Sequence, residues 1–426
     1  MTRFEPSGPL RGSLRPPSDK SISHRAALIA AMGEGETPIN DYLDAADTRS
    51  TLGAVEALGA DVKGDPASGL RIRGVGLKGA GPATIDVGNA GTLLRLLPGW
   101  LSGQVGERWT LDGDDSIRRR PVDRIAVPLR RMGAHLNARK DRLPPLEIEG
   151  ASLHGITYEM PIASAQVKSC LLFAGLLAEG ETRVIEALPS RDHTERMLAA
   201  AGASIKRDGD AVVVRQVDRL DPGPLTVSAD ISSAAFFLVA AVLVEGSEIT
   251  LHSVGVNPTR TGLLTILERM GAEIERDGEF DAGGEPIAAL RVRSASLQAT
   301  DVGGAEIPLA IDELPLVALA ACFAEGTTTI RDAEELRRKE SDRIETVTVA
   351  LRSLGGKVEP TADGMVIEGT GGLRGGTIDS HGDHRIAMLG AVAGLASEEG
   401  IEVQGMDAAA VSYPGFESDL ASLLRR

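Results

Sequence analysis

The sequence predicts a two-domain α/β protein built from six copies of one small unit, with three copies in each domain. Three observations support this prediction: the length of the chain, its composition and its internal repetition. With 426 residues the chain is longer than one hydrophobic core usually organises. Its 50 glycines, with 42% hydrophobic but only 3% aromatic residues, indicate many short elements packed by aliphatic side chains.

Two recurring phrases define the repeat. The first, a helix end followed by glycine and a strand start, occurs as VEALGADV, LRRMGAHL, LAAAGASI, LERMGAEI and LRSLGGKV, around Gly59, Gly133, Gly202, Gly271 and Gly355. We expect each glycine to end a helix in a left-handed conformation. The second phrase, an apolar helix followed by a turn and a strand, precedes each of these and occurs a sixth time as LASEEGIEV. Each unit of roughly 70 residues, with two helices and about four strands, must share a core with its neighbours.

Two chain crossings set the predicted domain boundaries. The proline-rich segment DPGPL, residues 221–225, separates the third unit from the fourth. The N-terminal arm RFEPSGPLRGSL resembles the strand that opens a unit, so a second crossing is expected at residues 15–18. The sequence thus predicts one domain from residues 1–17 and 229–426, another from residues 18–228, and a hinge where the crossings meet.

Charge and composition exclude several classes of function. A formal charge of −16 argues against nucleic-acid or anionic-membrane binding, which requires a broad basic face. Cys170 and Cys322 lie in apolar runs, which indicates buried thiols in a reducing cytoplasm. No apolar run approaches the roughly 20 residues that span a bilayer, and only His381 and His384 lie close together. We therefore expect a soluble cytoplasmic protein without a metal or cofactor.

The first polar motif is SDKSISHRAALIAAM, at the start of an apolar helix. Lys20, Ser21 and Arg25 crowd its first turns, where free N–H groups and the positive end of the helix dipole attract anions. Cations at that end are unfavourable unless an anionic ligand offsets them. The alternative is a solvated helix face that is simply capped by Ser18 or Asp19.

Three further motifs in the first half have similar chemistry. GNAGTLLRLL offers a close backbone approach at Gly91 and a cation at Arg95, although it is also a good structural turn. DDSIRRRPVDRI places Arg120 in the restricted position before a proline, although charge runs are usually solvated. Two more helix entrances follow. The first contains Ser164, Ala165, Gln166 and Lys168, and the second contains Ser190 and Arg191. An ordinary N-cap explains the second equally well.

The second half contributes IDELP, RRKESDRI and HGDHRIAM. Asp312 precedes an apolar helix and could merely cap it. Lys339, Glu340 and Arg343 are spaced to share one helical face, which could be surface ion pairing. Taken together, the motifs place cations at helix N-termini in most repeats, and we expect them to face one positive cleft. This predicts small substrates that carry several phosphate or carboxylate groups and are gripped by domain closure.

In order and spacing, these motifs resemble the EPSP synthase family of enolpyruvyl transferases. The motifs SDKSISHRA, GNAGTLLRLL, DDSIRRRPVDRI, ASAQVKSCLLFAG, SRDHTERML, IDELP, ELRRKESDRI and GDHRIAM carry the resemblance, which covers nearly the whole chain. It implies an inside-out α/β barrel in two domains, each of three βαββαβ copies, that closes on shikimate-3-phosphate and phosphoenolpyruvate. It also implies a monomer that needs no cofactor and binds no nucleic acid or membrane.

The resemblance also implies a role for each site residue. Shikimate-3-phosphate is bound by Lys20, Ser21, Arg25, Ser164, Ala165, Gln166, Ser190, Asp312 and Lys339. Phosphoenolpyruvate is bound by Lys20, Gly91, Arg120, Gln166, Arg343 and Arg385. Asp312 is the base for the 5-hydroxyl, Glu340 its proton-transfer partner at the methylene carbon, and Lys20 the third catalytic residue.

Two departures from the family pattern are visible. Val411 stands in AAVSYPGF where the family often has a lysine, so one phosphoenolpyruvate contact is missing. This and the wording of KSISHRA and SAQVKS resemble a divergent bacterial branch, some of whose members tolerate glyphosate. Gly91, where an added methyl group would crowd glyphosate, is retained, so the sequence leaves sensitivity to this inhibitor open.

Two rival functions remain at this stage. The sister transferase that acts on UDP-N-acetylglucosamine shares the six-unit fold, but its loop cysteine is absent from GDDSIRRRP, and Ser21 replaces the asparagine of its Lys-Asn pair. A non-catalytic anion-binding repeat protein would keep the basic helix ends without needing Asp312 and Glu340. Amide substitution of these two carboxylates separates the enzyme from the binder.

Overall fold

The computed structural model describes residues 1–424 and contains two compact units. The terminal unit comprises Met1–Pro17, Ala229–Phe280 and the chain from Pro286 onward, and the middle unit comprises Ser18–Ser228 and Asp281–Glu285. Both are mixed α/β structures. None of the helices within residues 1–424 has the length and the apolar character required to cross a membrane.

Strands and helices alternate along the chain, as the repeat predicts. The strands are β1 Thr2–Phe4, β2 Arg11–Leu14, β3 Glu36–Asn40, β4 Asp61–Asp65, β5 Gly69–Arg73, β6 Ala83–Asp86, β7 Arg108–Asp112, β8 His135–Arg139, β9 Leu143–Glu149, β10 Thr157–Glu159, β11 Glu181–Ile185, β12 Ile205–Asp208, β13 Ala211–Arg215, β14 Leu225–Thr226, β15 Glu248–Gly255, β16 Ile274–Ala282, β17 Glu285–Arg293, β18 Asp301–Val302, β19 Thr327–Ile330, β20 Lys357–Pro360, β21 Met365–Glu368, β22 Gly376–Asp379 and β23 Ile401–Gln404. The helices are α1 Lys20–Met32, α2 Ala46–Ala57, α3 Gly91–Leu101, α4 Asp123–Arg131, α5 Ala165–Gly175, α6 His193–Ala200, α7 Ile231–Leu243, α8 Gly262–Arg269, α9 Ile307–Ala310, α10 Leu314–Phe323, α11 Arg343–Ser353, α12 His384–Ala396 and α13 Phe416–Leu424.

Six small sheets share one topology. In the middle unit the strand orders are β14-β3-β5-β4, β6-β7-β9-β8 and β10-β11-β13-β12, and each begins with a parallel pair followed by two antiparallel pairs. The terminal unit has β16-β17-β15-β2, β18-β19-β21-β20 and the three-stranded β1-β23-β22. The prediction of six repeats is therefore confirmed, and the chain supplies its own first strand to complete the sixth sheet.

The N-terminal arm contains strand β2, which lies at the edge of a sheet in the terminal unit. Strand β2 precedes α1 in the chain but pairs in parallel with β15 of the terminal unit. In the same way β14 precedes α7 but pairs in parallel with β3 of the middle unit. The opening strands of two repeats have thus been exchanged where the chain passes from one unit to the other.

All five glycines of the first phrase have the predicted conformation. Each follows the end of a helix and precedes a strand, with φ between 85° and 106°. A side chain with a Cβ atom is strained at such a φ, so glycine is what allows each helix to turn directly into its strand.

Helices, rather than sheets, fill the centre of each unit. In the terminal unit α7, α10 and α12 pack on one another and are almost wholly buried. In the middle unit α1, α3 and α5 are buried in the same way. Their all-round apolar surfaces explain this position, because a helix that is hydrophobic on every side needs to be covered on every side. The polar groups of the motifs lie in their first two turns.

Candidate active site

The first group of functional residues, the terminal cluster, is centred on Asp312. Its carboxylate lies 3.4 Å from Lys339 Nζ, 3.6 Å from Arg343 Nη1 and 3.9 Å from Arg385 Nη2. Its side chain is 15% exposed, so a ligand can reach it. Asp312 does not cap helix α10, whose N-cap residue is Glu313. Three cations from three different segments therefore surround one accessible carboxylate.

Arg343 is the first residue of α11 and is buried, and two nitrogens of its guanidinium group contact carboxylates. Its Nε and Nη2 donate to Asp383 at 2.9 and 3.2 Å, and Nη2 also donates to Glu340 at 2.8 Å. Within residues 1–424, Nη1 makes no hydrogen bond. Because three of the five N–H donors of this rigid guanidinium are directed at carboxylates, the two N–H groups on Nη1 remain available to an anionic ligand.

Arg385, in the first turn of α12, is held by a second buried carboxylate. It donates to the Asp312 carbonyl at 3.0 Å and to Glu313 Oε1 at 3.3 Å, and Glu313 in turn accepts from the hydroxyl of Ser232. Because Ser232 lies in the first turn of α7, this chain of contacts joins the N-termini of α7, α10 and α12. The three helices thus begin at the same end of the terminal unit.

Burial and neighbouring charges set the protonation states of this cluster. Burial alone would lower the pKa of Arg385, but Asp312 and Glu313 hold it above its ordinary value. Burial would raise the pKa of Asp383, but Arg343 holds it below its ordinary value. Burial, with a contribution from Arg385, lowers the pKa of His384 to about 4. At neutral pH the cluster therefore contains a charged Arg385, a charged Asp383 and a neutral His384.

The second group, the middle cluster, begins at helix α1. The N-cap Asp19 accepts from the Ile22 N–H at 2.9 Å, and the next residue, Lys20, pairs with Asp47 at 3.0 Å. The Lys20 side chain is 43% exposed, so its ammonium group is accessible despite this partner. The cap predicted from the sequence and the accessible cation are thus both present.

Arg25, one turn further along α1, is buried instead of lying in the helix mouth. Its Nε donates to Thr194 Oγ1 at 2.7 Å, Nη1 to the Ser21 carbonyl at 3.0 Å and Nη2 to Ser169 Oγ at 3.0 Å. Burial lowers its pKa to about 10, which still leaves it charged at neutral pH. These contacts fix the Arg25 side chain relative to α5 and α6.

The entrances of α3 and α5 meet through side chains. Arg95 Nη1 donates to Gln166 Oε1 at 2.8 Å, and Gln166 Nε2 donates to Thr92 at 3.2 Å. Burial, with contributions from Arg124 and Arg120, lowers the pKa of Arg95 to about 10. Two neighbouring helix N-termini and their cations therefore form one anion-attracting surface.

Gly91, the first residue of α3, contacts the predicted arginine directly. A Cβ atom at this position would lie 2.5 Å from Arg120 Nη1. Arg120 is extended before its proline, and its Nη2 donates to Asn89 Oδ1 at 2.8 Å. Glycine therefore permits the close approach of the Arg120 guanidinium, which would have to shift if a Cβ atom were present.

Ser164, Ala165 and Ser190 complete the middle cluster. Ser164 is the N-cap of α5 and accepts from Val167 N–H at 3.4 Å, so Ala165 begins that helix. Ser190 is not an N-cap, because Asp192 occupies that position in α6. Its hydroxyl and its N–H both donate to Glu186 Oε1.

One local interpretation of the sequence was wrong. Lys339 and Glu340 do not share a helical face with Arg343, because α11 begins at Arg343 and its N-cap is Asp342. Lys339 follows a 3₁₀ turn at 334–338 in an extended conformation. The spacing of alternating charges is compatible with a helix, but the Ser-Asp pair before Arg343 is an N-cap signal that could have corrected it.

The sequence did not reveal several residues that form hydrogen bonds with the predicted site residues. Among them are Asp383, Glu313 and Glu186, each buried and bonded to a predicted site residue. Asp383 had a signal in the GDHR motif, where an acid directly precedes a helix. Glu186 had none, because it is separated from Lys168 by 18 residues and nothing in its neighbourhood marks it as buried.

The fold and the two clusters define the class of the protein: a six-repeat α/β enzyme with cationic helix entrances for small, multiply charged anions. A match to the EPSP synthase (3-phosphoshikimate 1-carboxyvinyltransferase) family spans residues 4–420. The chain belongs to this family.

Named relatives and solved structures agree with this assignment. The chain is 50% identical over 414 residues to a 3-phosphoshikimate 1-carboxyvinyltransferase of Alkalilimnicola ehrlichii, covering 96% of this chain and 93% of the relative. It is 48% identical to the enzyme of the same name from Synechococcus sp., covering 98% of both. A solved EPSP synthase from Acinetobacter baumannii is 42% identical, with a TM-score of 0.93, covering 99% of this chain and 97% of that one. The resemblance in the sequence motifs is thus confirmed.

Proposed function

We propose that the middle and terminal clusters together bind the two substrates of the family's reaction, which this chain catalyses as an enolpyruvyl transferase. The reaction transfers the enolpyruvyl group of phosphoenolpyruvate to the 5-hydroxyl of shikimate-3-phosphate and releases inorganic phosphate. Residues that are predicted to bind shikimate-3-phosphate and phosphoenolpyruvate occur in both clusters.

The chemistry requires proton transfers at two atoms. Protonation of phosphoenolpyruvate at C3 makes C2 electrophilic, and the 5-hydroxyl oxygen attacks C2 while it gives up its proton. The tetrahedral adduct then expels phosphate and loses a proton from its new methyl group, which restores the double bond. Two carboxylates near the reacting atoms are suited to these transfers.

We assign the hydroxyl proton to Asp312 and the methylene proton to Glu340. Asp312 is 15% exposed and lies among Lys339, Arg343 and Arg385, which stabilise it as a carboxylate base. Glu340 pairs with Arg343. Because its side chain is 54% exposed, Glu340 can exchange protons with solvent. Arg343 and Arg385 then hold the anionic groups of phosphoenolpyruvate by charge-assisted hydrogen bonds.

In the middle cluster the proposed roles are recognition and charge neutralisation. Lys20 contacts both substrates and offsets the charge that develops on the departing phosphate. Gly91, Arg120 and Gln166 bind phosphoenolpyruvate. Residues at three helix entrances hold shikimate-3-phosphate. They are Ser21, Arg25, Ser164, Ala165 and Ser190.

The observation that carries this proposal is the accessible carboxylate of Asp312 among three cations. The test measures phosphate release from phosphoenolpyruvate with shikimate-3-phosphate, and in parallel with UDP-N-acetylglucosamine. We expect release only with shikimate-3-phosphate. Turnover with the nucleotide sugar would support the sister transferase, and tight binding without release from either pair would support an anion-binding protein.

We also propose that the protein is a cytoplasmic monomer whose domains comprise residues 18–228, and residues 1–17 with 229–426. The pairing of β2 with β15 and of β14 with β3 supports these boundaries. Sedimentation measures the mass in solution, and limited proteolysis with mass spectrometry locates the first cuts. Cuts far from residues 17 and 228 would contradict the boundaries, and a particle of twice the chain mass would contradict the monomer.

A further inference from the structure

Behind the middle cluster lies a buried ion network that no proposed substrate contact uses. Lys168, on the first turn of α5, is completely buried, and its Nζ lies 2.8 Å from Glu186 Oε2 and 2.6 Å from Glu195 Oε1. It also donates to the Ser190 carbonyl at 3.3 Å. Glu186 is completely buried as well, and the Glu195 side chain is 14% exposed. We call these three residues the Lys168 bridge.

The Lys168 bridge forms hydrogen bonds with both the carbonyl and the N–H group of Ser190. Lys168 binds the Ser190 carbonyl, and Glu186 accepts from both the Ser190 N–H, at 3.2 Å, and its hydroxyl. Glu186 directly follows β11, whereas Ser190 lies in the loop before α6. A loop without regular structure is thereby given three fixed hydrogen bonds at one residue, which narrows the positions that Ser190 can take.

The residues next to the bridge hold Arg25. Ser169 follows Lys168 on α5 and donates to Ala165, and Thr194 precedes Glu195 on α6; each binds Arg25, and their hydroxyls are 2.6 Å apart. The ion pair of Lys168 with Glu195 and the hydroxyl pair beside it therefore join the same turns of α5 and α6. Any shift between these helices moves the two anchors of Arg25 apart.

Charge makes the bridge dependent on Lys168. Glu186 and Glu195 bring two carboxylates into a buried site, and Lys168 is the cation that contacts both within 3 Å. Burial raises the pKa of Glu195 despite the opposing effect of Lys168. Without the ammonium group, the two carboxylates would repel each other in a medium of low dielectric constant, and α6, which carries Glu195, would move away from the segment after β11 that carries Glu186.

We propose that Lys168 is a positioning residue for shikimate-3-phosphate binding, which acts by fixing Ser190 and Arg25. The inference rests on the proposed assignment of these two residues to that substrate. It does not involve Gly91, Arg120, Arg343 or Arg385, the residues assigned to phosphoenolpyruvate alone. Loss of the bridge should therefore weaken one substrate selectively.

The test compares Lys168→Met with Lys357→Met, which removes an exposed lysine paired with Glu368 at 2.6 Å in the terminal unit. Calorimetry measures the dissociation constant of shikimate-3-phosphate, and steady-state kinetics measures the KM for phosphoenolpyruvate at saturating shikimate-3-phosphate. For Lys168→Met we expect about tenfold weaker shikimate-3-phosphate binding, with the phosphoenolpyruvate KM within about twofold. Lys357→Met should change neither. Equal losses for both substrates, or no loss, would overturn the proposal.

A second variant keeps the experiment decisive if Lys168→Met does not fold. Glu186→Gln preserves shape but turns an amide N–H₂ towards Lys168, so it breaks the bridge with less loss of packing. It should show the same selective effect, and shikimate-3-phosphate binding within about twofold of the original would overturn the proposal.

Ser190→Ala and Arg25→Gln test the assignment beneath the proposal. If both leave shikimate-3-phosphate binding unchanged, the site assignment fails and the proposal with it. If both weaken binding whereas Lys168→Met and Glu186→Gln do not, the positioning role alone fails.

Discussion

The two clusters use opposite means to present positive charge. In the middle cluster, cations lie at helix entrances among hydroxyls, an amide and glycine, and Lys20 pairs with the carboxylate of Asp47. In the terminal cluster, Arg343 and Arg385 are surrounded by Asp312, Glu313, Glu340 and Asp383. The first arrangement attracts and orients anions, and the second supplies groups that can exchange protons. Both clusters thus contain proposed substrate-binding residues, whereas the two proposed proton-transfer carboxylates, Asp312 and Glu340, lie in the terminal cluster.

The largest effect should come from removing the carboxylate base. Asp312→Asn keeps the shape of the side chain but cannot accept the hydroxyl proton, so kcat should fall by about 10² to 10⁴. Stopped assays of phosphate release measure kcat, and calorimetry measures shikimate-3-phosphate binding, which should remain within about threefold. The control is Asp301→Asn at an exposed position of the same unit. A variant that keeps full kcat would remove the proton-transfer role from the terminal cluster.

A smaller effect is expected in the middle cluster at Gly91. In Gly91→Ala the new Cβ would meet Arg120 Nη1 at 2.5 Å, and the guanidinium would have to move. The KM for phosphoenolpyruvate should rise about tenfold, while kcat changes little, because the lost interaction is a binding contact. Gly53→Ala is the matched control, since its Cβ meets no atom within 4 Å. A fall in kcat with an unchanged KM would contradict the division of roles.

Each unit contains a buried histidine that should make the free energy of unfolding depend on pH. Burial lowers the pKa of His24 to about 3 and that of His384 to about 4, whereas an unfolded histidine titrates near 6.5. Between pH 6.5 and 4 the unfolded chain binds protons that the folded chain does not, so stability falls as pH falls. Each histidine contributes on the order of 1.4 kcal/mol per pH unit.

Denaturant titrations between pH 7 and 4 measure this slope. His24→Asn and His384→Asn should each flatten it, and the two variants together should flatten it most. If neither variant changes the slope, these histidines are protonated in the folded protein and the pH dependence has another origin.

The smallest effect is expected where the chain departs from its family. Val411 is 67% exposed, at the end of a 3₁₀ turn that packs on α12. Val411→Lys should lower the KM for phosphoenolpyruvate by about twofold to threefold, because solvent screens an exposed charge. The control Val349→Lys adds the same charge to α11, and a KM that is equal in both variants would contradict a local contact at 411.

The sequence predicted the repeat well because its signals are local. A glycine after an apolar helix and a proline-rich crossing each act within a few residues, and the five left-handed glycines and the exchanged strands follow from them. The motifs likewise identified which helix entrances carry cations. What could not be predicted is which partners these cations have, because Arg25 meets Thr194 and Lys168 meets Glu186 only after distant segments have packed.

The pairing of β1 with β23 has a consequence for how the protein is made. Phe4 pairs with Ile401, so β1 leaves the ribosome roughly 400 residues before the strand that completes its sheet. At typical synthesis rates of 5–20 residues per second, the wait is roughly 20 to 80 s. By the end of that time strands β3 to β14 have all been made, whereas β1 still has unpaired backbone groups that chaperones or other nascent chains can reach.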